Sequence, residues 1–382
     1  MLSVLSVIGS LLWLIIWLLP WKPWQIRERL EADEEPVLDD ASADELTVVI
    51  PARNEANSII ATLSALARQT EKLRVIVVDD QSSDGSSAVV AAMAPENLDL
   101  RIVHGRPLPD GWSGKLWALE QALSRVETPW LLQLDADIQL APGMLGAMLQ
   151  HATDNGHDLV SVLPAPPMKR RWEKLLLPAW VFFFRLLYPF ALSNRPGHFV
   201  AAAAGGCLLV RLEALQAIGA YSSFKDAQID DCTLARLVKG RNYRTWIGLS
   251  HGVTSHRSLG SLKDIIQAGT RTGFPRLHYS LINLIVASAV LLILTWGPPV
   301  GMLISSSETR IPGLAGSFAL FAVTLPLLRF FGRSGLWPLA LPLAGSIYCW
   351  TLWRSALHYR LGDGIHWKSR SYTKPSKPKA AK

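Results

Sequence analysis

Charge is scarce in this chain: 18% of its 382 residues are Asp, Glu, Lys or Arg, against roughly a quarter in an ordinary soluble protein. With hydrophobic residues at 49%, that shortage excludes a disordered or acidic-tail protein and points to a membrane-associated one. Cysteine is scarcer still. Cys207, Cys232 and Cys349 are an odd number without the spacing of metal ligands, which argues against a structural disulfide and fits a reducing compartment. No charged residue lies between Met1 and Trp21, and the basic region that opens a signal peptide is missing, so the segment reads as an uncleaved signal anchor. Lys22, Arg27 and Arg29 follow it at once, and positive charge on that side places the next domain in the cytoplasm. The length suits one or two domains, enough to bury a core without disulfides or metals.

The net charge is +7, and it is local. From Arg354 to Lys382 eight basic residues stand against Asp363 alone, so everything upstream balances to zero. A nucleic-acid footprint would spread over a folded face, whereas a basic stretch after an apolar segment reads as an anchor on an anionic leaflet. Three further uncharged stretches, Leu277 to Ser307, Ile311 to Leu328 and Ser334 to Trp353, approach the ~20 apolar residues of a span. A cytoplasmic domain followed by three spans would put the basic tail outside, so one stretch is expected to be re-entrant or interfacial. Leu175 to Leu192, with Arg185 inside and Lys169, Arg170, Arg171 and Lys174 before it, reads as a helix lying in the interface.

Between Leu46 and Arg276 the pattern changes to that of an α/β domain. Apolar runs at Thr47 to Ile50, Val75 to Val78 and Trp130 to Leu134 alternate with helical stretches at Asn57 to Arg68 and Gly114 to Arg125. A mainly parallel sheet follows, with ligands at the carboxyl ends of its strands. Polar groups gather at those ends. Ile50-Pro-Ala-Arg-Asn-Glu55 closes the first strand, Val78-Asp-Asp-Gln-Ser-Ser-Asp-Gly85 the second, and Leu134-Asp-Ala-Asp137 the third. Carboxylates at two tips suit the hydroxyls of a nucleotide, and the Asp-x-Asp pair offers hard oxygens to Mg²⁺ or Mn²⁺ on a diphosphate. Turns and helix caps are the plain alternative for each motif taken alone.

Together these motifs resemble the family 2 glycosyltransferases, whose catalytic domain has the GT-A fold, over about Leu46 to Thr272. The resemblance implies a nucleotide-sugar site in which Pro51, Ala52, Arg53, Glu55 and Asp80 hold the donor nucleotide. Asp135 would lie near the sugar and diphosphate, and Asp137 would be the principal ligand of a divalent metal. Gly205-Gly-Cys-Leu-Leu-Val-Arg211 matches the acceptor-side stretch, and Asp230 and Asp231 in Ile229-Asp-Asp-Cys-Thr-Leu-Ala235 match the acidic pair, with Asp231 in the place of the catalytic base. Helix capping is the alternative use of that pair. Pro107-Leu-Pro-Asp-Gly-Trp-Ser-Gly-Lys-Leu-Trp-Ala118 is similar to membrane members of the family that act on lipids, particularly those associated with hopanoid biosynthesis and some carotenoid ones. In it Lys115 offers an ammonium to the donor's phosphates, while Trp112 and Trp117 read as core or membrane-facing. Where processive members carry Gln-x-x-Arg-Trp, this chain has Gln267-Ala-Gly-Thr-Arg271-Thr-Gly-Phe274, which argues against polymer synthesis and leaves Arg271 as a diphosphate contact. His251 and His256 fall near the site and read as ordinary surface histidines.

The expectation is an anchor over 1–21, a linker over 22–45, a GT-A domain over 46–276 with an interfacial segment at 172–194, a transmembrane or re-entrant region over 277–356 and a basic tail over 357–382. The domain would face the cytoplasm from a bacterial-type inner membrane and transfer one sugar, with inversion, from a nucleotide-diphosphate sugar to a lipid hydroxyl. The partners expected are donor, lipid and membrane, and no nucleic acid. A polyisoprenyl-phosphate glycosyltransferase and an inactive nucleotide-binding scaffold are the rival readings. A pure binding module would have little reason to hold Glu55, Asp80, Asp135, Asp137 and Asp231 together.

Overall fold

The computed structural model describes residues 2–32, 40–304, 306–361, 365–367 and 370–372. It divides into an α/β unit, residues 28–167 and 190–258, and a helical unit made of 1–27, 168–189 and 259–382. Most of the basic tail lies outside the described residues.

The α/β unit is built on one eight-stranded sheet: β1 (Leu46–Ala52), β2 (Leu73–Asp79), β3 (Leu98–His104), β4 (Trp130–Leu134), β5 (Ile138–Leu140), β6 (Leu159–Ala165), β7 (Cys207–Arg211) and β8 (Thr245–Ser255). Their order across the sheet is β3-β2-β1-β4-β7-β6-β8-β5. β3, β2, β1 and β4 run parallel, β7 is antiparallel to both neighbours, and β5 is antiparallel to β8. The mainly parallel, mixed sheet expected from the sequence is therefore present. Its strands read as continuous apolar runs because helices cover both faces. In β1, Val48 and Ile50 enter one core with the helices Ile59–Leu66 and Met144–Asn155, while Val49 enters the other with Gly114–Leu123 and Asp230–Gly240. All three are fully buried, each contributing about 1.5–3 kcal/mol. Residues 28–30 belong to this unit rather than to a free linker: Leu30 N–H donates to Leu249 O (3.0 Å) and Leu249 N–H to Glu28 O (2.9 Å).

The helical unit contains Leu2–Leu18, Arg171–Leu187, Leu262–Arg276, Leu281–Leu303, Ser307–Phe330 and Leu341–Leu361. Among the described residues, three helical segments are long and apolar enough to cross a membrane: Arg171–Ser193, Leu281–Leu303 and Ser307–Phe330. Leu2–Leu18, at 17 residues, falls just short in length. The stretch from Ser334 splits into a 3₁₀ turn, Trp337–Ala340, and a helix that carries Arg354 and Arg360, and it is not among the three. Small residues make the crossings between these helices. A Cβ on Gly9 would lie 2.3 Å from Ile293 O, one on Gly313 would lie 2.6 Å from the Gly301 carbonyl carbon, and one on Gly316 would lie 2.5 Å from Ser10 Cα. Close backbone approach of this kind is how helices associate where no hydrophobic force drives them together. Trp13 is wholly buried there, its indole N–H donating to Leu294 O (2.7 Å) and its ring stacked on Phe182 at 5.7 Å.

Candidate active site

Sheet register builds this site. β1 and β2 end together, Ala52 beside Asp79, and Asp80 N–H donates to Ala52 O (2.7 Å). Beyond them the two loops are stitched to each other. Asn54 N–H reaches Ser82 Oγ (3.0 Å), Ser83 N–H reaches Asn54 Oδ1 (2.8 Å), Glu55 N–H reaches Ser86 Oγ (2.8 Å) and Ala56 N–H reaches Asp84 Oδ2 (3.0 Å). Arg53 bonds the carbonyls of Asp80 and Gln81. Gly85, at φ 82°, opens the helix Ser86–Met93, so Asp84-Gly85 is also the turn that its sequence suggests. Asp80 and Glu55 are buried among these bonds, 3% and 8% exposed.

β4 brings the next pair. Its antiparallel partner β7 sets Cys207 opposite Leu134, so Asp135 N–H meets Gly206 O (2.9 Å) one step further on. Both glycines stand where a side chain would be crowded. A Cβ on Gly206 would lie 2.9 Å from Pro164 Cγ, and one on Gly205 would lie 3.3 Å from both Lys115 Nζ and Asp231 Cβ. Gly205 is a hub of these contacts: its N–H donates to Asp231 Oδ2 (3.1 Å), and its carbonyl accepts from Lys115 Nζ and Gln133 Nε2, each at 3.0 Å.

Lys115 enters from the helix Gly114–Leu123, capped by the Ser113 hydroxyl. Its ammonium lies 2.6 Å from Asp135 Oδ1 and 4.0 Å from Asp230 Oδ2. Burial by itself would lower this amine, but Asp135 and Asp230 outweigh it and hold the proton above the ordinary lysine range. Asp230 moves the other way for a carboxyl: burial raises it, Lys115 opposes, and Asp231 and Asp135 add to the rise. Asp230 and Asp231 open the helix Asp230–Gly240, whose N-cap, Ile229, makes no side-chain cap bond. Asp231 instead accepts from Gly205 N–H and from Cys232 N–H (2.7 Å). Trp112 and Trp117 meet edge to face at 5.1 Å, and the Trp117 indole donates to Arg106 O (3.1 Å).

The second Asp-x-Asp carboxylate has a partner that motif reading missed. β5 pairs with β8 so that Ile138 faces Ser255, which carries the residues after β8 to the residue before β5. His256 N–H donates to Asp137 O (3.0 Å), Ser255 Oγ–H to Asp137 Oδ2 (2.9 Å), and Arg257 Nε lies 3.3 Å from that same oxygen while Nη2 bonds Glu55. Burial opposes the charge on Arg257, and Asp137 and Glu55 more than restore it. The signal was present in the sequence: Ser-His-Arg is a polar run at a strand tip, as at β1, β2 and β4. Gln133, 2% exposed inside β4, gave no such signal. His251 is committed elsewhere, to Glu31 at 2.9 Å. Arg271 belongs to the helical unit, on Leu262–Arg276, where its carbonyl accepts from Tyr359 (3.1 Å).

The donor set fits a hard divalent cation. Asp135 and Asp137 present carboxylates at one strand tip, and a Mg²⁺ or Mn²⁺ site ordinarily needs only one or two beside phosphate oxygens and water. Among the described residues no three acidic, histidine or cysteine side chains converge as a ready-made cage. His256 turns its Nε2 to the Ser58 carbonyl (3.2 Å) and is not gathered with the two carboxylates as a third ligand.

Residues 47–219 match the family described as glycosyl transferase family 2. A 4,4'-diaponeurosporenoate glycosyltransferase of Staphylococcus haemolyticus is 27% identical over 132 residues, 34% of this chain and 34% of that protein. An undecaprenyl-phosphate 4-deoxy-4-formamido-L-arabinose transferase of Photorhabdus laumondii is 32% identical over 121 residues, 30% and 35%. The chain thus spans about a third of the length of these curated relatives. Among solved structures, a mannosyltransferase of Pyrobaculum calidifontis in complex with GDP-Man and Mn²⁺ is similar in fold, with a TM-score of 0.50 and 18% identity over 91% of this chain and 99% of its own. With the strand order, the stitched tips and the acidic pairs in place, the chain carries a glycosyl transferase family 2 domain over residues 47–219, built on the GT-A fold.

Proposed function

We propose that this chain is a membrane-associated, inverting glycosyltransferase that moves one sugar from a nucleotide-diphosphate sugar to a hydroxyl of a membrane lipid, a hopanoid or another polyisoprenoid. Asp231 is the observation that carries the reading: a carboxylate tied to the acceptor-side Gly205, which Lys115 links to Asp135 on the donor side. Pro51, Ala52, Arg53, Glu55 and Asp80 hold the nucleotide, and Asp135 and Lys115 serve its diphosphate. Gly205, Gly206 and Asp230 shape the acceptor side. A divalent cation held by Asp137 and Asp135 would supply positive charge for the departing diphosphate.

The acceptor oxygen attacks the anomeric carbon as Asp231 takes its proton. The bond from that carbon to the diphosphate oxygen breaks, its electron pair leaves with the nucleoside diphosphate, and the configuration inverts. The three long apolar helices and the names of the relatives support a lipid acceptor at a membrane. In this reading the chain resides in a bacterial-type inner membrane with its catalytic domain facing the cytoplasm.

The undecaprenyl-phosphate relatives favour a second reading, transfer to a polyisoprenyl phosphate. Its acceptor oxygen is already ionised and needs no base. Incubating the purified, detergent-solubilised chain with nucleotide sugars, Mg²⁺ or Mn²⁺ and a lipid extract tests both. Metal-dependent release of nucleoside diphosphate with a new glycolipid is expected, lost in Asp137→Ala. Loss of transfer in Asp231→Asn supports the hydroxyl acceptor, and near-normal transfer in that variant moves the assignment to a phosphate. Nucleotide binding without turnover of any donor would overturn both.

A further inference from the structure

Arg257 joins two carboxylates from different strands that the donor reading treats separately. Its guanidinium reaches Glu55 through Nη2 and Asp137 through Nε, at 3.3 Å for the latter. The side chains of Glu55 and Asp137 are only 9% and 16% exposed, and charges so enclosed are strongly destabilising when left unpaired. A planar guanidinium offers donors in fixed directions to both carboxylates at once.

From this we infer that Arg257 is the resident cation of the metal position. It pairs Asp137 with Glu55 while the site lacks donor, yields Asp137 when a divalent cation enters, and then turns its guanidinium to the diphosphate that arrives with that cation. This rests on the donor and metal assignment under Proposed function.

Charge balance and mobility carry the inference. A divalent cation on Asp137 would sit beside the guanidinium that now occupies the same carboxylate oxygen, and two cations share such a space only when an anion separates them. The diphosphate is that anion. Arg257 can make the exchange, since it follows the end of β8 outside any helix or strand and its side chain is 36% exposed. Ser255 Oγ and His256 N–H hold Asp137 in place meanwhile. Metal and nucleoside diphosphate are therefore coupled ligands: each binds weakly alone and each strengthens the other. Lys115 does not duplicate this role, because besides Asp135 it holds the Gly205 carbonyl.

The test is Mn²⁺ binding by the full-length, detergent-solubilised protein, read from the electron paramagnetic resonance of free Mn²⁺, then UDP and GDP binding at saturating Mn²⁺. Arg257→Gln is expected to bind Mn²⁺ alone about tenfold more tightly, and the better nucleotide about tenfold more weakly, than the native chain. A merely structural Arg257 would weaken both together, and that result, or unchanged Mn²⁺ affinity, overturns the inference. Arg257→Lys keeps the charge without the guanidinium and is expected to fall between the native chain and Arg257→Gln in both measurements. Matching Arg257→Gln in Mn²⁺ affinity would show that charge is not the cause. Asp137→Asn separates the two levels. If it leaves Mn²⁺ binding intact, the metal assignment fails and this inference with it. If it removes Mn²⁺ binding while Arg257→Gln shows no gain, the inference alone is overturned.

Discussion

In the helical unit, Ser10, Ser288, Thr295, Thr324 and Thr351 each give the hydroxyl to the carbonyl four residues earlier on the same helix. In the α/β unit, Ser82 and Ser86 accept from backbone N–H groups about 30 residues away, and Ser255 reaches 118 residues back to Asp137. These helix hydroxyls donate locally and the strand-tip hydroxyls work over long range, a contrast of emphasis rather than of kind, since Ser355 of the helical unit also bridges Thr270 O and Phe274 N–H more than 80 residues away. A helix facing lipid must satisfy its polar groups within itself, whereas strand tips expose donors and acceptors that only a neighbouring loop can meet. Glycine divides the same way. Gly9, Gly313 and Gly316 let backbones approach, while Gly205 leaves room for Lys115 and Asp231. Substitution in the first unit should therefore cost structure, and in the second, chemistry.

The sharpest break of that contrast is Asp231→Asn. With a hydroxyl acceptor it should lower turnover by about 10²–10⁴-fold and lower the thermal midpoint far less, since Asn keeps one acceptor oxygen and gives up one of the two backbone N–H contacts, from Gly205 and Cys232, that the carboxylate accepts; kinetics beside a melting curve checks both. Gly9→Val is the converse. The clash with the Ile293 carbonyl should destabilise the protein by about 1–3 kcal/mol, seen as a lower melting midpoint in detergent.

Acid should act through the α/β unit. His157 is pushed down to about 4 by burial, then by the neighbouring His151 and Arg244. The folded state keeps this imidazole neutral, while the unfolded chain protonates it near about 6.5. Its contribution is therefore present above that pH and lost as pH falls toward the folded value. The melting midpoint should drop over that window, and His157→Asn should flatten the drop. The smallest effect belongs to Thr324→Val, within about 0.5 kcal/mol, because the lost bond is local to its helix and the carbonyl keeps its backbone donor; the same melting assay reads it.

Much of the α/β unit was legible because its signals are local. The runs at Thr47–Ile50, Val75–Val78 and Trp130–Leu134 became β1, β2 and β4, lengthened at most by a few residues, and the acidic motifs stand at their tips. Gly114 opens its helix as read, ending at Leu123 rather than Arg125, and Asn57–Arg68 shortens to Ile59–Leu66 because Glu55 to Ser58 are drawn into the stitched loop. The membrane region was read by length and hydropathy alone. On those terms the helix from Arg171 has the dimensions of a span, while the last stretch, which includes Arg354 and Arg360 once its helix is followed to Leu361, lacks the composition.

By itself the sequence determined which residues would end strands, where apolar length accumulates and which carboxylates are available, since each depends on neighbours along the chain. Only the tertiary structure decided that Asp137 has an arginine beside it and Asp135 a lysine, and that Asp231 is held by Gly205. Those pairings arise from antiparallel register, β5 with β8 and β4 with β7, and from the helix that delivers Lys115. Register is set by the packing of whole strands against both cores, a sum over many distant residues that no local spacing records.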